Sequence, residues 1–226
     1  MNMGDRNSGN VADDSTDTEE KILEAALQVF SMKGKDGARM HEIADRAGIN
    51  KALLHYYFRS KDRLYDRVFE YVIVKLVRSF GSQLRDASDF AEVVRVFVSR
   101  YIDFAHNNLA VVRLMIGEHL AGGHRATERI KTMMASDDAP LRVFIDRLND
   151  AVARGEIRPV DPHQTLVTVV SSCVFFFVVF STVEALVPMA ADNKQRFIEQ
   201  RKDHLAEFVW RSLRPDPSTS IGEVGS

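Results

Sequence analysis

Large apolar side chains recur at intervals of three and four along most of the chain. Phe90, Val93, Val94, Phe97, Val98, Tyr101, Ile102 and Ala105 make one such stripe, the spacing of a helix with one face buried. Leu64, Val68, Val72, Leu76 and Phe80 make a second on a helix that starts at Lys61 and runs to about Gln83. Ile198, Leu205, Phe208, Val209 and Leu213 make a third among charges. Lys33-Gly34, Gly122-Gly123, Asp138 to Pro140, Gly155, Pro159 to Pro162 and Pro188 fall between the periodic runs, where helices break. No stretch alternates with period two over a sheet-forming length, so the expected fold class is all-α.

One run fits no amphipathic pattern. From Gln164 to Val183 there are 20 residues without a charge, including CVFFFVVF. Seven of the 20 are Gln, Ser or Thr, Asp161 and Glu184 flank the run, and no Trp marks either end, which argues against a membrane span. Asp161-Pro162 is an N-cap followed by a first-turn proline, and Pro188 stops the far end. The pattern predicts one long helix over 161–187, apolar nearly all round and therefore covered on most sides.

Composition changes the picture at the two ends. Residues 1–17 are rich in Gly, Ser, Asn and Asp and hold almost no large apolar group, so they and the tail 215–226 are expected to be disordered. The lone Cys173 excludes a disulfide framework, and the polar first ten residues carry no signal-like segment, which predicts a cytoplasmic protein. The net charge of −2 points to no partner, but residues 18–64 hold nine cationic against seven acidic side chains.

That region contains MHEIADRAGINKALLHYYFRSKDRL, residues 40–64. Met40, Ile43, Ala44 and Ala47 share one face of a short helix. Gly48 supplies the positive φ that a tight helix end requires, Ile49 returns inward, and Asn50 caps a second helix from about Lys51. Ala44 lets the two helices cross closely. With Leu54 facing inward, Ala52, Leu53, His55, Tyr56 and Arg59 fall on the opposite half. That face carries apolar, aromatic and cationic groups and no acid. A water-facing helix is normally charged with both signs, whereas a helix pressed into a major groove presents small and apolar groups to bases and donors to phosphates.

Ile43-Ala44, Ala47-Gly48-Ile49, Tyr57-Phe58, Ser60-Lys61 and Leu64, preceded by a helix from Glu19 to Lys33, resemble the DNA-binding domain of the TetR family of bacterial transcriptional regulators. The resemblance implies an N-terminal three-helix helix-turn-helix domain over 18–66. It also implies a helical effector-binding and dimerisation domain over 67–214. Carried over position by position, it gives Arg39 a phosphate contact at the start of the second helix, and Lys51, Ala52 and Leu53 the base-reading stretch. His55 stands where an aromatic is usual, Tyr56 shares the outward face, and Tyr57 and Lys61 match phosphate contacts.

The implied function is a ligand-responsive repressor, binding double-stranded DNA as a homodimer through the helices at 161–187 and 194–213. The rival reading is a small-molecule-binding helical protein whose DNA role is secondary or lost. Phe97, Tyr101, Met115, His119, Phe176 and Phe180 are the candidate lining of a pocket for a largely apolar effector. A ligand beside the helix from Lys61 would tilt the reading head. No cofactor, metal site or membrane partner is expected: His119 and His124 are five apart with Gly122-Gly123 between them, and Cys173 has no neighbouring activator. No GxSxG, P-loop, GxGxxG or HExxH motif suggests an enzyme.

Overall fold

The computed structural model describes residues 8–215 apart from residue 138, with side chains from residue 16 onward. Regular structure among the described residues is entirely helical. The helices are α1 (Ser8–Gly37), α2 (Met40–Ala47), α3 (Lys51–Tyr57), α4 (Lys61–Phe80), α5 (Gln83–Asp86), α6 (Phe90–Asn107) and α7 (Leu109–Leu120). They continue with α8 (His124–Met134), α9 (Pro140–Ala153), α10 (Pro162–Val178), α11 (Phe180–Leu186), α12 (Pro188–Asp192) and α13 (Lys194–Leu213). The chain divides into two compact units, Met1–Val74 with Arg113–Ile130, and Lys75–Val112 with Lys131–Ser226. The unit boundaries therefore fall inside α4, α7 and α8 rather than at residue 66.

In the first unit, Ile22, Ala26, Leu27 and Phe30 of α1 are buried with Ile43, Ala44, Leu54, Leu64, Val68 and Phe69. Phe30 meets Tyr65 edge-on at 4.8 Å between ring centroids, and Tyr65 meets Phe69 at 5.1 Å. α1 leaves helical geometry at Gly34 (φ 66°), where Lys33-Gly34 predicts a break. At its other end it begins at Ser8, inside the stretch whose composition predicts disorder. Extending an existing helix adds one backbone hydrogen bond per residue fixed, and Asp17 pairs with Lys21 one turn on at 2.5 Å. Residues 1–7, and the predicted tail beyond Pro215, lie outside the described residues.

Lysines lace the α1–α2 corner. Lys33 bonds Glu42 at 2.8 Å and Lys35 bonds Asp62. Lys61 Nζ donates to the carbonyl oxygens of Asp36 and Ala38, both at 3.2 Å. The Lys33 hydrogen bond holds the Glu42 carboxyl below its ordinary range, and Lys35 does the same for Asp62. α4 carries an acidic stripe at Asp62, Asp66 and Glu70. Arg125 reaches Asp66 at 2.5 Å and Asp62 at 3.2 Å, and Arg129 reaches Glu70 at 2.9 Å. Tyr65 donates its hydroxyl to Glu118 at 2.9 Å beneath the Arg125 guanidinium. Residues 118–129 therefore belong with the head, although the sequence resemblance places them in the following domain.

In the second unit α6 is central, packing on α9, α10 and α13. Its predicted stripe is buried, with Phe97 between Phe80 at 5.5 Å, Phe144 at 4.5 Å and Tyr101 at 5.6 Å. Asp89 caps α6 by accepting from Glu92 N at 2.8 Å, while Glu92 accepts from Ser88 N at 2.6 Å. Lys202, the buried cation of α13, is neutralised by Asp103 and by Glu199 at 2.8 Å. The last helix is tied back by Arg158, whose N–H donates to Leu213 O at 2.9 Å.

The uncharged run is two helices, not the single one expected. α10 ends at Val178, Val179 takes φ −100° and ψ 7°, and α11 leaves with a bend of 67°. Thr182 and Val183 donate to Val179 O at 2.9 and 3.0 Å and start the new helix. The polar residues of α10 are met internally: Thr165, Thr168 and Ser172 hydroxyls each donate to the carbonyl four residues back. Among the described residues no single helix is long and apolar enough to cross a membrane. Nor is the run covered on most sides, since Val167, Phe175 and Val178 are exposed along one face.

Truncation of Phe97 to Ala is expected to cost about 3–5 kcal/mol, the range for emptying a buried aromatic site, read as a lower urea midpoint at unchanged slope. A second expectation concerns pH. Glu42 and Asp62 have depressed folded-state pKa values, so their contribution is present above the ordinary carboxylate pKa and is lost as pH falls through the folded values. Below about pH 4.5 the wild-type melting temperature should fall more steeply than that of a Lys33→Met, Lys35→Met double variant. Parallel profiles by circular dichroism would remove these pairs from the acid response.

Candidate nucleic-acid interface

The turn between α2 and α3 is built by a few atoms. Gly48 adopts φ 69° and ψ 28°, a left-handed conformation that side-chain-bearing residues adopt only with strain. Its N–H reaches Asp45 O at 3.2 Å, and Ile49 N–H reaches Ala44 O at 3.0 Å. Asn50 then turns the chain into α3, its side chain accepting from Leu53 N at 2.8 Å. Ala44 is buried at the crossing, where its single methyl admits the neighbouring helix. Leu54 and Phe58 are also buried and anchor α3 from its inner side.

What remains outward is the predicted face. Lys51, Ala52, His55 and Tyr56 are exposed, Leu53 and Tyr57 half-buried. Tyr56 is 80% exposed and touches Tyr57 edge-on at 5.6 Å. A large aromatic left so bare has nothing to gain from water, and α3 offers no carboxylate to balance Lys51. Arg39 is exposed immediately before α2, with no side-chain hydrogen bond closing that helix start. Lys61 differs from expectation: its ammonium is engaged with two carbonyl oxygens of the α1–α2 corner, while Ser60 Oγ caps α4 by accepting from Arg63 N at 3.2 Å.

Charge pairing sorts the head's cations. Lys21, Lys33, Lys35, Arg67, Arg125 and Arg129 all have carboxylate partners. Among the described residues the side chains of Arg39, Arg46, Lys51, Arg59 and Arg63 have none, and all five are exposed. Arg46 and Arg63 escape a reading from motif positions alone. Their signal is the absence of an acid at helical spacing on the same face, just as the Asp62, Asp66, Glu70 spacing is the signal for the Arg125 and Arg129 clamp.

The six residues expected to line an effector pocket separate. Phe97, Tyr101, Phe176 and Phe180 lie in the second unit; Met115 and His119 lie in the first, His119 exposed. Phe97 pairs with Tyr101, and Phe176 with Phe180 at 5.2 Å. Cys173 is fully buried, and burial pushes its thiol up to about 12, which suits an inert thiol. Among the described residues no group of three or more His, Cys, Asp or Glu is arranged to hold a metal ion.

Comparison with known proteins gives this geometry its context. Residues 22–68 match the bacterial regulatory proteins of the tetR family, and residues 91–209 match the tetracyclin repressor-like C-terminal domain. The chain is 26% identical to the HTH-type transcriptional regulator RutR of Escherichia coli (strain K12) over 198 residues, 86% of this chain and 89% of that protein. It is 27% identical to the HTH-type transcriptional repressor NicS of Pseudomonas putida over 146 residues, 64% of this chain and 69% of that protein. The TetR family transcriptional regulator PfmR from Thermus thermophilus shares the fold at a TM-score of 0.65 and 20% identity, over 87% of this chain and 97% of that one. A buried-sided α3 with an acid-free outer face, set by a glycine turn and matched over both parts of the chain, makes this protein a member of the tetR family of helix-turn-helix, DNA-binding transcriptional regulators.

Proposed function

We propose that the chain represses transcription as a homodimer on a palindromic operator and lets go when its helical domain takes up a largely apolar small molecule. The observation that carries the DNA reading is the outer face of α3, where Lys51, Ala52, His55 and Tyr56 are exposed without an acid among them. In the major groove Lys51 donates to base edges, Ala52 and Leu53 meet thymine methyls, and His55 and Tyr56 close on the groove wall. Arg39, Tyr57 and the start of α4 at Lys61 face phosphates, and helix N-termini favour such anions.

A seven-residue reading helix covers too few bases for tight specific binding, so two copies about 34–36 Å apart are needed. Val167, Phe175 and Val178 on α10 and Phe208 on α13 supply the apolar surface for that pairing; Phe175 is 62% and Phe208 63% exposed in the single chain. Release of DNA requires that the effector bind the DNA-free form better, and linkage then requires DNA to weaken the effector by the same factor.

Sequencing the genomic fragments retained by the purified protein should return an inverted repeat. Arg39→Ala should weaken binding to every fragment alike and reduce the salt slope by about one. Lys51→Ala should relax one base position by about 1–3 kcal/mol. Lys61→Ala should also lower the melting temperature, because it releases two carbonyl oxygens. Failure to retain any fragment at low salt overturns the DNA reading. For the dimer, Phe175→Asp should stay folded by circular dichroism, since the position is exposed, and should sediment as a monomer. A dimeric Phe175→Asp protein places the contact elsewhere.

A further inference from the structure

Two polar groups inside the second unit have no partner. His106 Nδ1 is buried without a hydrogen bond. Tyr101 makes ring contacts to Phe80 at 6.1 Å and Phe97 at 5.6 Å, but its hydroxyl has no hydrogen-bond partner among the described residues. Buried polar atoms in native proteins are nearly always satisfied, so an unsatisfied pair on one helix calls for an explanation. Tyr101 also differs from its stripe. Phe97, Val98, Ile102 and Ala105 are fully buried, while Tyr101 keeps accessible surface. Yet burial holds its phenol well above the ordinary range, with Cys173 adding to the rise. A side chain surrounded by protein and still accessible faces interior space.

The two groups look onto one face of α10. Tyr101 neighbours Cys173, and the His106 ring stacks on Phe177 at 6.0 Å with 25° between planes. Cys173 and Phe177 are four residues apart, one above the other on a helix, about 5–6 Å between Cβ atoms. The unpartnered groups are thus offset by about one helical turn along a wall of Cys173 and Phe177, with Phe80 and Phe97 around the Tyr101 end. Arg201, whose charge reaches Cys173, is directed elsewhere: it donates to Ser172 O at 3.1 Å and lies over the Phe176 ring at 5.6 Å. Neither Tyr101 nor His106 has an ion-pair partner, and a charge placed between them would be desolvated without one.

We infer that this space between α6 and α10 binds an uncharged, single-ring molecule carrying a hydrogen-bond acceptor for the Tyr101 hydroxyl at one end and a donor for His106 Nδ1 at the other. The inference rests on the regulatory reading above and gives its effector a chemical class. Tyr101 stays protonated and donates; His106 accepts at Nδ1 with its proton on Nε2. The ring lies against Phe177 and the Cys173 thiol, which is too deeply buried to react. The span between the polar ends selects one ring over a long acyl chain.

The probe is 4-hydroxyacetophenone, whose carbonyl and hydroxyl stand at opposite ends of one ring, with toluene and 4-hydroxybenzoate as comparisons, titrated calorimetrically into the full chain. The probe should bind more tightly than either comparison, and Tyr101→Phe and His106→Leu should each weaken it roughly tenfold, the worth of one hydrogen bond. The same variants should melt, without probe, at or above the wild-type temperature, because removing an unsatisfied buried polar atom relieves a cost. Lower melting temperatures would make the two groups structural and overturn the proposal. So would unchanged affinity in both variants, tighter binding of 4-hydroxybenzoate, or no binding of the probe at about 10 mM, three decades above a typical micromolar effector. Retention of genomic fragments is measured on the same proteins. A chain that binds probe through Tyr101 and His106 but no DNA refutes the regulatory reading alone, and one that binds DNA but ignores the probe refutes this inference alone.

Discussion

A helix of seven residues does not hold together in water by itself, and α3 has seven. Everything about the head follows from supporting it without covering it. Support comes from one side, through Leu54 and Phe58 in a core shared with Ile43, Ala44, Leu27 and Phe30. It comes from one end, through Asn50, which meets an otherwise orphaned N–H of the first turn. Gly48 sets the angle, since only a left-handed residue returns the chain so abruptly. These supports are all on the inner side. The outer side is therefore left to residues chosen for something other than folding, and Tyr56 is the plainest example: it stabilises nothing in the free chain.

The head was legible because its constraints are local. Ala44, Gly48, Ile49, Asn50 and Leu54 lie within eleven positions, and each has one physical reason for its type. The periodic burial of α6 was legible for the same reason. The break at Val179 was not. No Gly or Pro marks it, and a run of β-branched and aromatic residues reads alike in a straight helix and in a bent one. The start of α1 at Ser8 was missed because composition measures what a segment can bury and takes no account of an adjoining helix that it can extend. The pocket list failed at Met115 and His119 because helical periodicity selects faces within one element and cannot say to which compact unit residues 113–130 belong. Phe97 and Phe144 show the limit from the other direction: they stack at 4.5 Å across 47 positions of sequence that no short pattern connects.

The two units treat polar groups in opposite ways. In the head nearly every buried or half-buried polar group has a specific partner: Tyr65 has Glu118, Tyr71 has Glu24 at 3.1 Å, and Lys61 has two carbonyl oxygens. Such pairing fixes one arrangement, which suits a surface that must match a rigid duplex. In the second unit the charged groups that would be costly alone are paired, as Lys202 is with Asp103 and Glu199. Neutral Tyr101 and His106 are left open. Leaving a neutral group unpaired costs far less than leaving a charge so, and that is where a chain can hold affinity in reserve for a ligand without losing its fold.

The same distinction explains which cations are available to DNA. Phosphate attraction requires positive charge that is not already neutralised, so counting lysines and arginines overstates it. The acidic stripe of α4 and the carboxylates of α1 and α2 neutralise Lys21, Lys33, Lys35, Arg67, Arg125 and Arg129. The side chains left without such partners, Arg39, Arg46, Lys51, Arg59 and Arg63, come from α2 and α3 and from the residues beside them. A nearly neutral chain thus acquires a local cationic surface through the placement of its acids. Each paired cation fixes the geometry of the head, and that fixed geometry is what presents the unpaired ones together.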